Sequence, residues 1–191
     1  MFGAMQIHLI RHTTPNIGKG ICYGQTDMGL NQAVFEQELS AIKAKLPEGI
    51  ERFYTSPLQR CKTLAENLNP NFVVDERLME MNFGAWENKN WSDINPTELN
   101  TWMQDFVNIR TPNGENYTDL HQRTTGFIKE ILTHNYQKVA LITHAGNIRS
   151  IMSFVLSLPL ENSFRIHLSY GTVVSVKLDA LEHNNKLISI I

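Results

Sequence analysis

Apolar strands alternate with helical periodicity along the chain. Short apolar runs, typical of buried strands, are separated by longer segments in which apolar residues recur every three to four positions. The predicted strands are residues 7–10, 51–54, 72–74, 139–142, 172–176 and 186–190. The predicted helices cover about 32–46, 57–68, 120–132 and 148–156. This order predicts an α/β fold, with helices on both faces of a mainly parallel sheet.

The start of the second helix and the middle of the chain need separate comment. Ser56 is a favoured N-cap and Pro57 a favoured first helical residue, which places Arg60 within the first turn of that helix. Residues from about 77 to 118 are less regular and contain all three tryptophans. They predict a loop with short helices lying over the crevice of the sheet. A polar turn at residues 183–185 would join the last two strands.

Length and composition are those of an ordinary globular domain. We expect one domain over residues 1–191, large enough to bury a full core. A net charge of −2 argues against a surface dedicated to nucleic acid or to anionic membranes. No apolar run approaches the ~20 residues of a membrane span. Cys22 and Cys61 form no C-x-x-C motif, and no secretion signal is visible, which favours reduced thiols in a cytoplasmic protein.

Two of the predicted strands lead directly to a histidine. Arg11 and His12 follow the first strand, and Thr143 and His144 follow the fourth. In open α/β sheets ligands bind outside the carboxyl ends of the strands, so both imidazoles are expected at one rim. Arg60 and the N-termini of the following helices would add positive charge and unpaired N–H groups, which favour phosphate. The pattern predicts a site for a dianion that needs no metal.

A phosphate held at this rim needs an attacking group and a proton donor. Neutral imidazole is a competent nucleophile, and neighbouring arginines help to keep His12 unprotonated. His144 is expected to hydrogen-bond the phosphoryl oxygens as charge spreads in the transition state. Glu80, in the irregular segment, is the best acid for protonating an ester leaving group, a role worth ~10²–10⁴-fold.

Five sequence blocks resemble, in order, those of the histidine phosphatase superfamily, which is also called phosphoglycerate mutase-like. The family patterns are R-H-G, S-x-L-x-R-A-x-x-T-A, L-x-E-x-x-F-G-x-W-E, P-x-G-E-S with a following arginine, and a second histidine block. The matching residues are 9–12, 56–65, 78–87, 112–115 with Arg123, and 143–146. Each block alone is weak evidence, whereas five in family order are a strong signal.

The resemblance implies a role for each matched residue. His12 would be the nucleophile and would form a phosphohistidine that water later hydrolyses, with Glu80 as the acid and base. Arg11, Arg60 and His144 would form the phosphate pocket. No metal or other cofactor would be needed. The implied fold is a three-layer α/β/α sandwich of the phosphoglycerate mutase-like type.

Chain length and two short segments favour a phosphatase of small metabolites. Phosphoglycerate mutases of the family are usually longer, and residues 13–15 and 20–27 resemble α-ribazole phosphatases, which dephosphorylate α-ribazole 5′-phosphate in cobalamin biosynthesis. Tyr23 would stack on a substrate ring, while Gly24 and Gln25 would offer backbone or amide donors. We therefore expect a small phosphorylated metabolite as partner, no nucleic acid and no membrane. A homodimer remains open.

Three other functions remain open at this point. A phosphoglycerate mutase would transfer the phosphoryl group to a second hydroxyl instead of water. A non-catalytic phospho-ligand binder is supported only by Thr13, Thr14 and Pro15, which replace the family's Gly-Glu/Gln-Thr/Ser after the nucleophile. A metallohydrolase using both histidines and Glu80 fits poorly, because no H-x-x-x-H or comparable spacing of ligands occurs.

Several further polar and aromatic residues are expected to serve the scaffold. We expect packing or network roles for Asp27, Trp86, Glu87, Trp91, Trp102, Glu115 and Arg123. His8, between Ile7 and Leu9, is expected in the core or at its rim.

Overall fold

The computed structural model describes residues 4–179 and 184–191. Within them the strands are β1 (Met5–Arg11), β2 (Arg52–Thr55), β3 (Phe72–Val74), β4 (Lys138–Thr143), β5 (Val173–Leu178) and β6 (Lys186–Ile190). The α-helices are α1 (Gln32–Lys45), α2 (Gln59–Leu68), α3 (Pro96–Gln104), α4 (Tyr117–Ile131) and α5 (Ala145–Leu156). Short 3₁₀ helices cover Glu76–Leu78, Gly84–Trp86, Trp91–Asp93 and Leu160–Arg165.

The strands form one mixed sheet in the order β3-β2-β4-β1-β5-β6. β1, β2, β3 and β4 run parallel, whereas β5 pairs antiparallel with β1, and β6 antiparallel with β5. In the central pair Arg11 lies opposite Thr143, so β1 and β4 end side by side. His12 and His144 follow these two ends directly, and the predicted meeting of two histidines at one rim is confirmed.

Helices cover both faces of the sheet, which gives the predicted three layers. Successive side chains of a strand point to opposite faces, so Leu9 packs with α4 and α5 while Ile10 packs with α1 and α2. The first face buries, among others, Ile7, Leu141, Phe127, Ile128, Ile148 and Ile151. The second face buries, among others, Ile142, Phe35, Ile42, Cys61 and Leu64. Burial on both faces explains why the central strands read as continuous apolar runs.

Residues 77–118 lie over one end of the sheet as short helices and loops, as the sequence predicts. Their buried side chains form a third apolar cluster, which joins the N-terminal half of α4. Trp86 and Trp102 are buried in this cluster, with Trp91 partly buried against it, so the expected packing role of the tryptophans is confirmed. This cluster fixes the segment that carries Glu80.

The predicted start of the second helix is wrong. The helix begins at Gln59, and Ser56 does not cap it. Its first N–H, on Gln59, instead donates to Oδ1 of Asp27 at 2.7 Å. The Ser56 hydroxyl lies 2.9 Å from Nε2 of His144, so the residue with the best local capping propensity is used in the site. Arg60 still lies in the first turn, as expected.

Two smaller points complete the fold. α4 begins at Tyr117, earlier than the apolar periodicity predicts, because Asn116 and Asp119 form a capping box at its start. Of the predicted turn at residues 183–185, residue 183 lies outside the described residues. Among residues 4–179 and 184–191, no helix combines the length and apolarity that crossing a membrane requires.

Candidate active site

The tautomer of His12 is set by its own loop. The backbone N–H of His12 donates to the carbonyl of Thr143 at 3.0 Å, which fixes the residue at the end of the central strands. Its Nδ1 lies 2.8 Å from the carbonyl oxygen of Thr13. A carbonyl can only accept, so Nδ1 carries the proton and Nε2 keeps its lone pair. The side chain is buried, and Nε2 is therefore the atom available for attack.

The pKa of His12 explains why the imidazole stays neutral. Burial lowers this pKa well below 6.5, and the positive charges of Arg60 and Arg11 lower it further. The sequence argument named only the arginines, whereas desolvation is the larger cause. Its conclusion, a neutral imidazole at neutral pH, is supported.

Arg60 joins the second histidine to the loop that contains Gly24 and Thr26. Its buried guanidinium donates to the carbonyls of Gly24 and of Thr26, the latter at 2.9 Å, and its Nε donates to Nδ1 of His144 at 3.3 Å. A guanidinium only donates, so Nδ1 of His144 accepts, and its Nε2–H donates to the Ser56 hydroxyl. The structure thus brings Arg60 and His144 together, as predicted.

The two histidines face each other at the rim. The ring centroids of His12 and His144 are 5.1 Å apart. Burial, followed by the charge of Arg60, also lowers the pKa of His144 well below 6.5. Two neutral imidazoles beside a fully buried guanidinium leave the site with a net positive charge, which favours phosphate.

Arg11 is held on the opposite side of the site by an element that the sequence did not single out. Its guanidinium carbon lies 3.9 Å from the centroid of the Tyr170 ring, and it donates to the carbonyl of Leu168. Its Nε is buried and has no hydrogen-bond partner among the described residues. Tyr170 lies in an irregular segment before β5 with no local motif, so only the fold reveals it.

Glu80 lies against the N-terminal turn of α5. Its Oε1 accepts the N–H of Met81 at 2.9 Å, and its Oε2 accepts the N–H of Gly146 at 3.1 Å. His144 is the N-cap of the same helix, so the carboxyl and the second histidine meet at one helix end. A Cβ at position 146 would lie 2.2 Å from Oε1 of Glu80, so glycine is required for this approach.

Arg123 fixes the backbone that carries Glu80. Its guanidinium donates to the carbonyls of Arg77, Met79 and Glu80, at 2.9, 2.6 and 2.9 Å. It also forms an ion pair with Glu115 at 2.9 Å. The expected network role of Arg123 and Glu115 is therefore seen as direct positioning of the carboxyl-bearing segment.

Gln25 contacts two residues of the neighbouring acidic segment, and its predicted donor role toward substrate stays a prediction. Its backbone N–H donates to Glu87 at 2.8 Å, and its side-chain amide donates to the carbonyl of Glu80 at 3.1 Å. One of the two N–H groups of that amide is thus used, and Gln25 helps to hold Glu80 and Glu87 in place. Gly24 is needed for close packing, because a Cβ there would lie 1.9 Å from the carbonyl oxygen of Met81. Its carbonyl serves Arg60, and a role of its N–H toward substrate stays a prediction.

Tyr23 forms part of the wall between the two arginines. Its hydroxyl lies 2.6 Å from that of Tyr170, and the guanidinium carbon of Arg60 lies 5.4 Å from the centroid of its ring. Burial, with the neighbouring Tyr170, raises the pKa of Tyr23, so the phenol stays protonated. Stacking of a substrate ring on Tyr23 stays a prediction.

Two further charged residues escaped the sequence analysis. Glu38, on α1, accepts both the backbone N–H and the hydroxyl of Thr14, at 2.8 and 2.6 Å, and so fixes the loop after the nucleophile. Arg149, on α5, donates from Nε to the carbonyl of Ile166 at 3.0 Å. The available signal for Arg149 was its position three residues after Gly146, which places both on one helix face.

The two cysteines and the arrangement of possible metal ligands can be described together. Cys22 and Cys61 are free and buried, and burial raises the pKa of each thiol to about 12. Both therefore stay as unreactive thiols. In residues 4–179 and 184–191 no group of three or more His, Cys, Asp or Glu side chains is arranged to hold a metal ion. Metal independence remains a prediction.

Comparisons with known proteins agree with this geometry. A protein from Hydrogenobacter thermophilus, named as a candidate phosphoserine phosphatase, is 27% identical over 194 residues, covering 95% of this chain and 96% of that protein. The α-ribazole phosphatase structure from Shigella flexneri superposes with a TM-score of 0.83 at 21% identity, covering 92% of each chain. A mycobacterial glucosyl-3-phosphoglycerate phosphatase structure has a TM-score of 0.81 at 21% identity, covering 91% of this chain and 90% of that one.

The family assignment rests on a match that spans nearly the whole chain. The family described as "Histidine phosphatase superfamily (branch 1)" matches residues 7–189. The fold, with its mixed sheet between helices, is the phosphoglycerate mutase-like fold of that family. This chain belongs to the histidine phosphatase superfamily and is an enzyme of its phosphatase and mutase-like type.

Proposed function

We propose that this chain is a metal-independent phosphomonoesterase that acts through a phosphohistidine on His12. The observation that carries the proposal is the tautomer of His12, whose Nδ1–H is bound to a carbonyl and whose buried ring is kept neutral. The attacking lone pair on Nε2 is thus available beside Arg60 and His144. The proposed residues are His12, Glu80 and His144 for catalysis, with Arg11 and Arg60 for phosphate binding.

In the first step, Nε2 of His12 attacks phosphorus and the P–O bond to the leaving group breaks. Glu80, in its acid form, gives its proton to the departing oxygen, which leaves as a neutral alcohol. Arg11 and Arg60 stabilise the charge on the non-bridging oxygens, and His144 joins them when its Nε2–H exchanges the Ser56 hydroxyl for a phosphoryl oxygen. The N–H groups at the start of α5 add the positive end of the helix dipole.

In the second step, water attacks the phosphorus of the phosphohistidine. The Glu80 carboxylate takes a proton from that water as the new P–O bond forms. The N–P bond breaks, its electron pair returns to Nε2, and phosphate leaves. His12 is again neutral and Glu80 is again an acid, so the cycle closes.

For the substrate, we propose α-ribazole 5′-phosphate in cobalamin biosynthesis or a similar small phosphorylated metabolite. Support comes from residues 13–15 and 20–27, and from structural neighbours that include α-ribazole phosphatases. The net charge of −2 supports the absence of a nucleic-acid or membrane partner. Two free, buried thiols support the cytoplasm as the compartment.

The test is phosphate release by purified protein from phosphorylated metabolites, including α-ribazole 5′-phosphate and 3-phosphoglycerate. His12→Ala should abolish turnover, whereas His134→Ala, which changes an exposed histidine, should not. Acid-quenched mass spectra should show a phosphoryl adduct on the wild type and none on His12→Ala. Full activity of His12→Ala would rule out the proposal, and isomerisation of 3-phosphoglycerate without phosphate release would identify a mutase.

Glu80→Gln tests the acid separately. It should lower kcat/KM, which includes only the steps up to P–O cleavage, by about 10²-fold or more for alkyl phosphates. The loss for p-nitrophenyl phosphate should be far smaller, because p-nitrophenolate needs little protonation. Equal losses on both substrates would remove Glu80 from the acid role.

A further inference from the structure

An apolar cavity of about 550 Å³ lies outside the proposed phosphate site. Its lining side chains are all apolar or aromatic, among them Phe83, Trp91, Trp102, Met103 and Phe164. Met103 is 63% exposed and Phe164 50% exposed. Large apolar side chains that line a concave surface in this way mark a binding site.

One wall of the cavity is connected to Glu80 through α5. Gly146, whose N–H binds Glu80, and Arg149 are three residues apart and share a helix face. Side chains of a helix lean toward its N-terminus, so Arg149 covers the turn that contains Gly146. The guanidinium carbon of Arg149 lies 5.0 Å from the centroid of the Phe164 ring. Phe164 is therefore one arginine side chain away from the proposed proton donor.

The opposite wall is connected to the loop that contains Gly24 and Gln25. The backbone N–H of Phe83 donates to Oε1 of Glu87 at 3.1 Å, and the same oxygen accepts the N–H of Gln25. The Phe83 ring packs so closely on Gly24 that a Cβ there would lie 2.8 Å from it. The carbonyl of Gly24 in turn binds Arg60. Both walls are thus linked, through one or two intervening residues, to groups that bind Glu80 or Arg60.

Arg149 supplies polar contacts between the two regions. Its terminal nitrogens have no hydrogen-bond partner among the described residues, since only its Nε is bound, to Ile166. Those N–H groups can donate to the hydroxyls of a polar linker that leads from the phosphate to the cavity. Going outward from the reaction centre, Glu80 would come first, the guanidinium of Arg149 second and the apolar cavity third.

We propose that this cavity is the leaving-group subsite and that its occupant is an aromatic or similarly apolar ring carried by the alcohol of the phosphomonoester. The inference rests on the proposed function and names its substrate class. A volume of this size falls in the range of small-molecule sites, ~300–1,000 Å³. Its seven lining residues are far fewer than the ~20–30 per side of a stable protein interface, which argues against a second copy of the chain.

The test compares two aryl esters, phenyl phosphate and 2-naphthyl phosphate, which leave as phenols of similar acidity. The second ring removes roughly 60 Å² more apolar surface from water, which corresponds to about a tenfold gain in kcat/KM. We therefore expect a naphthyl-to-phenyl ratio of about ten in the wild type. Met103→Arg, which places a charge at the cavity, should bring this ratio to about one to two.

The matched control is Ile188→Arg, which makes the same kind of change at a side chain that is 47% exposed on β6. It should keep the wild-type ratio. Phe164→Ser is a second variant of the cavity and should also lower the ratio. Thermal unfolding of each variant checks the fold, and the ratio itself is insensitive to the fraction of folded enzyme.

Each remaining outcome has a defined meaning. A wild-type ratio near one, or a ratio unchanged in Met103→Arg, overturns the subsite. If Met103→Arg instead changes the oligomeric state in size-exclusion chromatography and keeps the ratio, the cavity is an interface between copies and the inference is wrong. Phenyl phosphate hydrolysis that survives His12→Ala overturns the proposed function, whereas His12-dependent hydrolysis with a ratio near one overturns the subsite alone.

Discussion

Replacing Gly146 with alanine should separate the position of the proton donor from the stability of the fold. The added methyl carbon would lie 2.2 Å from Oε1 of Glu80, 3.1 Å from its carboxyl carbon and 3.3 Å from Cδ1 of Leu120. Ordinary contacts of this kind need about 3.3 Å, so the carboxylate must move by about 1 Å. The backbone stays in place, because the side chain of Glu80 can yield.

The expected losses follow from that displacement. A shift of about 1 Å at a catalytic group costs about 10²-fold in rate. We therefore expect kcat/KM on alkyl phosphates to fall by about 10²-fold in Gly146→Ala, with kcat/KM for p-nitrophenyl phosphate changed by less than about threefold. Stability should change little, because the helix propensity of alanine, up to ~1 kcal/mol, offsets the weakened N–H bond to the carboxylate.

The assay measures kcat/KM for both substrate types together with urea unfolding. Gly126→Ala is the matched control, because it is the same substitution inside α4 and a Cβ there meets no atom within 4 Å. It should raise stability by up to ~1 kcal/mol and leave both rates unchanged. Equal losses on both substrates in Gly146→Ala, or no loss on either, would refute the acid role assigned to Glu80.

Four other predictions concern the nucleophile and its supports. Because burial and two guanidinium groups lower the pKa of His12, the acid limb of kcat/KM should lie below pH 6.5; a limb above 6.5 would contradict a neutral nucleophile. Below about 6.5 the unfolded chain binds more protons at His12 and His144 than the folded chain, so the free energy of unfolding should fall as pH drops from 7 to 5.5, measured by urea titration. Arg123→Met should lower the free energy of unfolding by about 2–4 kcal/mol and should also lower kcat. Arg110→Met removes an exposed ion pair and should lower the free energy of unfolding by under ~1 kcal/mol. Similar losses in the two variants would contradict the positioning role of Arg123. Asp27→Ala removes the cap of α2 and should lower the free energy of unfolding by about 1 kcal/mol. An unchanged urea midpoint would show that this cap is dispensable.

Hydrophobic periodicity and the order of motifs were sufficient to predict the three layers and the meeting of His12 and His144. Apolar runs mark the strands because parallel strands covered on both faces contain few polar residues. The ends of β1 and β4 predict where His12 and His144 lie, since parallel strands end at one edge. These inferences need only local sequence and one rule of topology.

The rest depends on contacts between segments distant in sequence, which a local pattern cannot show. Ser56 has the better local propensity for a cap, yet the first N–H of the helix binds Asp27 from another loop. The Ser56 hydroxyl instead accepts the N–H of Leu58 and contacts His144. Tyr170 and Arg149 belong to no motif and acquire their roles only when the chain packs around Arg11 and Glu80. The contacts of Gln25 with Glu80 and Glu87 could not be read from the sequence for the same reason, because these partners lie far along the chain.

The pairing of β1 with β4 places most of the chain's sequence between two strands that touch. Contacts with such long loops between them are slow to form during folding. The pocket around His12 is thus completed only after the C-terminal half of the chain has been synthesised and has docked. After dilution from urea, enzyme turnover should consequently return only when β1 has paired with β4. This recovery should come later than the gain of helical signal from α1 and α2.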